Sequence, residues 1–323
     1  MPAHQHTSIT FLYYTTINMK RVATIGFFDG VHRGHQYLCQ QLRELAGEEG
    51  TAVILTFAKH PQRVLGRQDP PPLLTTKDEK MRLLKSLCRV DRIEILEFDQ
   101  RMAGLTAEDF MNHYLHSTFG ITHLLVGYDH HFGRPRWGEG IENYREYGNE
   151  AGIEVVAARQ LPEIKISSSK IRRLIAMGEM EEANNMLGHT YMLAGKVVKG
   201  QKLGRKLGIP TANLAVADPL KMIPADGVYV STVKADGQLY QAVTNIGKCP
   251  TLKKGDTTTI ESHILDAGCP NLYEKDVEVY FHKRLRDEVA FDKPEELLEQ
   301  VQADAEVALE YHREHPFTLD MAL

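Results

Sequence analysis

The sequence predicts a doubly wound parallel α/β sheet, followed by a smaller antiparallel β region and a C-terminal helix. Three observations carry that expectation. From about residue 20 to 180, short and densely apolar runs alternate with helical patterns, as strands buried on both faces and their crossover helices do. After about residue 186 the texture becomes strand-rich and punctuated by glycine and proline, which suggests an antiparallel sheet or small barrel. A length of 323 residues also fits two domains better than one.

The expected strands of the first part are RVATIGFF (21–28), TAVILTF (51–57), RIEILEF (92–98), THLLVG (122–127) and IEVVAA (153–158). Between them, HQYLCQQLRELAGEEG (35–50) places Leu38, Leu42 and Leu45 on one helical face and stops at Gly47 and Gly50. In TAEDFMNHYLHSTFG (106–120), Thr106 and Asp109 have the spacing of an N-terminal capping pair. In the second part, VYVSTVKA (228–235), Asp236-Gly237 and QLYQAVTNIG (238–247) read as a hairpin. TTTIESHILD (257–266) and DVEVYFHKRL (276–285) are further strands. The segment 291–312 reads as a helix, with Asp292 and Glu295 at its start and Pro294 in its first turn. The boundary is expected in NNMLGHTYM (184–192), giving domains 19–185 and 186–323. Residues 1–18, ahead of Met19, are expected to be a flexible extension.

Hydrophobic residues make up 42% and charged residues 25%, an ordinary globular composition. A net charge of −5 gives no sign of a nucleic-acid or membrane surface. There is no membrane-length apolar run and no signal-peptide pattern at the start. Four cysteines form no CxxC pair, and two lie in helical patterns; reduced thiols and a cytoplasmic location are expected.

Two stretches carry chemistry. The first is GFFDGVHRGHQ (26–36), which joins the first strand to the first helix. A helix start supplies free N–H groups and a positive dipole end, hence an anion site. Gly30 and Gly34 would let a nucleotide approach the backbone, and His32 and His35 would add donors aimed at phosphate oxygens. The HxxH spacing alone offers only two ligands for zinc, and the G-x-G-x-x-G dinucleotide spacing is absent. The second stretch is GKVVKGQKLGRKLGIPTANL (195–214), whose glycines include Gly200 and Gly204. It lacks the order of a P-loop. Its glycines suit either a flap over phosphates or a turn-rich strand start. The Thr211 hydroxyl and Asn213 carbonyl are hard oxygen donors suited to Mg²⁺.

Strand–GFFDGVHRGH–helix resembles the HxGH signature of the nucleotidyltransferase superfamily, and GFFDGVH resembles its FMN adenylyltransferase branch. FAKHPQRVL (57–65), VGYDHHFG (126–133) and ISSSKIRRLI (166–175) extend the likeness. The resemblance implies a Rossmann-like nucleotidyltransferase domain. In it Gly26, Phe27, Asp29, Gly30, Gly34 and Asp129 contribute to nucleotide binding, and His32 and His35 are catalytic. Ser167, Ser168 and Arg172 would face the ATP phosphates at a second helix start. Ser169 stands where that family usually has Thr, and Lys59 replaces a usual proline. The loop HHFGRPRWGEG (130–140) adds His130, His131 and Trp137, to which no role is assigned.

The second stretch closely resembles the PTAN motif of riboflavin kinases, supported by DGVYV (226–230), NIGKCPT (245–251), TIESHILD (259–266) and KRLRDEVAF (283–291). That likeness implies a six-stranded antiparallel barrel in which Gly200 and Gly204 border the nucleotide, Thr211 and Asn213 hold Mg–ATP, and Glu261 is the base. Over nearly the whole chain, the two motif sets resemble the prokaryotic bifunctional riboflavin kinase/FMN adenylyltransferases, or FAD synthetases. The implied substrates are ATP, riboflavin and FMN, with FAD supplied onward to flavoproteins. The rival expectations are an enzyme retaining one activity, and a non-catalytic flavin-binding or sensing protein.

Overall fold

The computed structural model describes residues 19–66, 68–127, 132–134, 140–161, 165–200, 210–251, 255–291 and 293–322. Asp129, His130, His131, Trp137, Gly204, Asp292 and residues 1–18 lie outside these. By packing, the chain forms two compact units, one running to Pro71 and resuming over Lys77–Lys165, the other made of Pro72–Thr76 and Ile166 onward.

The first unit contains β1 (Arg21–Ile25), α1 (Arg33–Ala46), β2 (Thr51–Phe57), α2 (Pro61–Val64), α3 (Lys77–Leu83, continued by π turns over Leu84–Cys88) and β3 (Arg92–Leu96). It continues with α4 (Gln100–Gly104), α5 (Ala107–Phe110, continued by π turns over Met111–His116), β4 (His123–Val126), α6 (Ile141–Ala151) and β5 (Glu154–Ala157). The strands form a sheet in the order β3-β2-β1-β4-β5, with every pair parallel. All five expected apolar runs are therefore strands; the central β2, β1 and β4 are buried along nearly their whole length, while the edge strands β3 and β5 are partly exposed. The strand order reverses between β1 and β4, so the carboxyl end of β1 is the switch point at which such sheets bind ligands. The Gly26–Gln36 stretch begins there. Thr106 Oγ1 accepts the Asp109 N–H at 3.0 Å, the cap its spacing predicts. Cys39 on α1 and Cys88 at the end of α3 are free and buried. A hydrogen bond with Cys88, together with burial, pushes the Cys39 thiol up and keeps it protonated.

The second unit holds α7 (Ser168–Met177), α8 (Met180–Leu187), β6 (Tyr191–Val198), β7 (Thr211–Val216), β8 (Gly227–Ala235) and β9 (Gln238–Thr251). β10 (Gly255–Ile264), β11 (Asp276–Arg286) and α9 (Pro294–Glu314) complete it. Its six strands close into a barrel in the order β10-β7-β6-β11-β8-β9, with every neighbour antiparallel. At the β8–β9 hairpin, Asp236 (φ 49°) and Gly237 (φ 76°) take the two left-handed positions of a type I′ turn.

Residues 168–185, placed by the sequence reading in the first domain, pack with the barrel. Leu174, Ile175, Met180 and Leu187 share one buried cluster with Tyr191, Tyr229 and Phe281. Two amphipathic helices with that much apolar surface need a partner face, and this unit supplies it. At α9 Glu295 lies in the first turn, as expected, while Asp292 lies outside the described residues. Lys293 is the N-cap and makes no side-chain cap bond, while Pro294 opens the first turn. Arg286 of β11 holds the buried Asp304 of α9 through both carboxylate oxygens, with Nη2–Oδ2 at 2.7 Å and Nε–Oδ1 at 3.1 Å.

Candidate active sites

In the first unit, the chain leaves β1 at Gly26 and reaches α1 through a tightly folded loop. Phe28 (φ 57°), Gly30 (φ 81°) and Val31 (φ 39°) all have positive φ. A β-branched residue in that region is strained, and such strain persists only where the surroundings enforce it. The Phe28 carbonyl accepts the Val31 N–H at 3.1 Å, and the Val31 carbonyl accepts Gln36 Nε2 at 2.8 Å.

This loop delivers His32 to the N-cap of α1, where its Nδ1 accepts the His35 backbone N–H at 3.3 Å. With Nδ1 accepting, the neutral ring carries its proton on Nε2. The His32 and His35 rings stack with centroids 3.6 Å apart, and Phe28 meets His35 edge-on at 5.1 Å. A Cβ at Gly34 would lie a tight 3.2 Å from the His32 ring of that stack. Asp29 and His32 are buried. Gly26, Phe27, Asp29, Gly30, His32, Gly34 and His35 thus lie on one continuous stretch at the switch point. The site contains one residue that sequence reasoning missed. Lys80, on α3, reaches the Phe27 carbonyl at 3.0 Å; in KDEKMRL it has the look of a solvated helix charge.

Ser167, Ser168 and Arg172 belong to the second unit. Ser167 caps α7, its hydroxyl accepting the Lys170 N–H at 3.3 Å. Arg172 Nε donates to the Pro72 carbonyl at 2.7 Å. They are close together at one helix start, which offers backbone N–H groups to an anion.

The barrel brings Thr211, Asn213 and Glu261 together through strand register. Glu261 of β10 stands opposite Asn213 of β7 on one side and opposite Asn245 of β9 on the other. Thr211 Oγ1 donates to Glu261 Oε2 at 3.2 Å. Gly200 lies so close to the Asn213 amide that any Cβ there would overlap it. A cavity of about 540 Å³ opens beside this group, lined by Gly200, Thr211, Asn213, Asp266, Leu272 and Tyr273 among others. PTAN is therefore the start of a strand with its polar side chains at the edge of a cavity. His263, on the same face as Glu261, lies opposite Thr211, and its Nδ1 is 3.3 Å from the Pro210 carbonyl oxygen.

Known proteins match both units. Residues 15–170 match the FAD synthetase family model and residues 187–312 the riboflavin kinase model. A bifunctional riboflavin kinase/FMN adenylyltransferase of Pseudomonas fluorescens is 37% identical over 89% of this chain and 91% of its own length. Its counterpart in Bacillus subtilis is 32% identical, with 90% and 92% covered. A solved structure described as a macrolide-efflux protein from Streptococcus pneumoniae has a TM-score of 0.80 at 32% identity, over 90% of this chain and 94% of that one. Among the described residues, no helix is long and apolar enough to cross a membrane. With both regions matched and such relatives spanning nine tenths of its length, the chain belongs to the bifunctional riboflavin kinase/FMN adenylyltransferase family.

Proposed function

We propose that the chain phosphorylates riboflavin to FMN and then adenylylates FMN to FAD, each step using ATP. The observation that carries the reading is that both motif sets stand on one chain that matches bifunctional relatives over about nine tenths of its length. Kinase chemistry is assigned to 186–323 and adenylylation to 19–185, even though α7 and α8 pack with the barrel.

In the kinase step, the Glu261 carboxylate takes the proton from the riboflavin 5′-hydroxyl. The oxygen attacks the γ-phosphorus, and ADP leaves. Thr211 and Asn213 are the residues that would hold Mg²⁺. Their oxygens beside the Glu261 carboxylate suit a hard cation. Among the described residues there is no group of three or more His, Cys, Asp or Glu able to hold a metal, so phosphate and water oxygens would complete the shell. When bound, magnesium neutralises charge on the triphosphate.

In the second step, an FMN phosphate oxygen attacks the α-phosphorus of ATP. The bond to the bridging oxygen breaks and pyrophosphate leaves, with no covalent enzyme intermediate. His32, with its proton on Nε2, and His35 donate to the phosphates in flight beside the N-terminus of α1. Ser167, Ser168 and Arg172 are assigned to ATP phosphates on their likeness to ISSTxIR. The reading places the protein in the cytoplasm, supplying FAD to flavoproteins, with no nucleic-acid or membrane partner.

The test is incubation with riboflavin, ATP and MgCl₂, separating FMN, FAD and pyrophosphate over time. FMN should appear first and FAD after it. Substituting His32→Ala and His35→Ala together should stop FAD while FMN accumulates. Glu261→Ala should stop FMN formation yet still give FAD from supplied FMN. No FMN at any time would refute the kinase assignment.

A further inference from the structure

The strained Gly26–His32 loop raises the question of what holds it. Phe28 and Val31 both stand at positive φ. Part of the restraint comes from beneath. Lys80 of α3 is only 2% exposed, and its ammonium donates to the Phe27 carbonyl at 3.0 Å and the Phe57 carbonyl at 2.9 Å. Its Nζ also sits 3.9 Å from the centre of the Phe27 ring, a cation–π contact. Phe57 ends β2 and Phe27 follows β1, so one cation ties together the carboxyl ends of two adjacent strands at the switch point. Thr56 Oγ1 adds a second donor to the Phe27 carbonyl at 3.2 Å.

We propose that Lys80 is a positioning residue for adenylyl transfer, its ammonium holding the Gly26–His32 loop in the conformation that presents His32 and His35. This rests on the reading that the loop is the adenylylation site. The charges that act on Lys80 come from two elements. Burial, the largest influence, lowers its pKa from 10.5 to about 8; the Asp29 carboxylate on the loop opposes that, and Lys77 on the same helix adds to it. Lys80 is therefore charged at neutral pH and loses its charge as pH rises through about 8. A neutral amine keeps two N–H donors but loses its attraction to the Phe27 ring and to Asp29. A displaced loop would misalign the transferring phosphates, and a shift of about 1 Å costs up to roughly a hundredfold in rate.

The experiment measures kcat and KM for adenylylation with FMN supplied directly, from about pH 6.5 to 9.5. It compares the wild-type full chain with Lys80→Met, Lys80→Arg, Thr56→Val and the His32→Ala/His35→Ala double variant. Hydrogen exchange in β1 and β2 reports folding of the first unit. Lys80→Met should lower kcat by roughly ten- to a hundredfold, with KM nearly unchanged, kinase activity intact and β1–β2 protection retained. Wild-type kcat should fall above about pH 8, and Lys80→Arg, which stays charged, should lack that fall. Thr56→Val should lower kcat several-fold. A wild-type kcat in Lys80→Met overturns the proposal, as does a loss seen only in KM. If Lys80→Met does not fold, a wild-type kcat in Thr56→Val together with an unaltered alkaline limb in Lys80→Arg overturns it. Adenylylation surviving in the double histidine variant would instead bring down the site reading itself.

Discussion

Acidification should loosen the barrel, and His282 of β11 sets the expected size of the effect. Its Nε2 lies 2.8 Å from Thr232 Oγ1, and the rings of His312 and Phe317 close around it at 5.4 and 4.9 Å. Burial, reinforced by His312 and His315, lowers its pKa from 6.5 to about 3. The folded state thus keeps His282 neutral at a pH where the unfolded chain binds a proton. Stability from this group is fully present above about pH 6.5 and declines as pH falls from there towards about 3. At pH 5, about 1.5 units below the unfolded value and at about 1.4 kcal/mol per unit, the loss is about 2 kcal/mol. His312, lowered mainly by burial, adds to it. The assay is hydrogen exchange of the β8 and β11 amides at pH 7.5 and pH 5, corrected for intrinsic rates. His282→Gln can still bond Thr232 but does not titrate, so it should lose about 2 kcal/mol less protection than wild type. Equal wild-type protection at both pH values would refute the reasoning.

The ion pair between Arg286 and the buried Asp304 fixes α9 to the barrel. Asp304→Ala would leave the guanidinium without its partner, costing about 3 kcal/mol; a lowered melting temperature and loss of exchange protection in α9 should show it. Gly200→Ala would push a methyl into the Asn213 amide. Kinase turnover should fall at least about tenfold from the misplaced donor, with adenylylation of supplied FMN unaffected, both read by product chromatography.

The five strands of the first unit were legible because each is a short apolar run, a local pattern that can be read without reference to neighbours. The β8–β9 hairpin was equally plain, since Asp236-Gly237 is a local device. The histidine stretch could be placed at a strand–helix junction for the same reason. The grouping of Glu261 with Thr211 was not legible from spacing. It depends on the β10–β7 register, and a one-residue slip would turn Glu261 to the other face; only the family likeness linked the two residues. Lys80 was missed because sequence cannot say which lysine on a charged helix is turned inward. That α7 and α8 pack with the barrel was not legible for a related reason, since an amphipathic helix announces that it has a buried face but not which surface covers it.

The sequence by itself determined the alternation of elements and the local turn and cap chemistry, consequences of periodicity and side-chain type over a few neighbouring positions. The tertiary structure decided the strand order and register of the barrel, the contact of Glu261 with Thr211, and the burial of a lysine beneath the His32–His35 loop. Those facts arise from pairing and packing between segments distant in the chain, where register and burial rather than local pattern set the outcome.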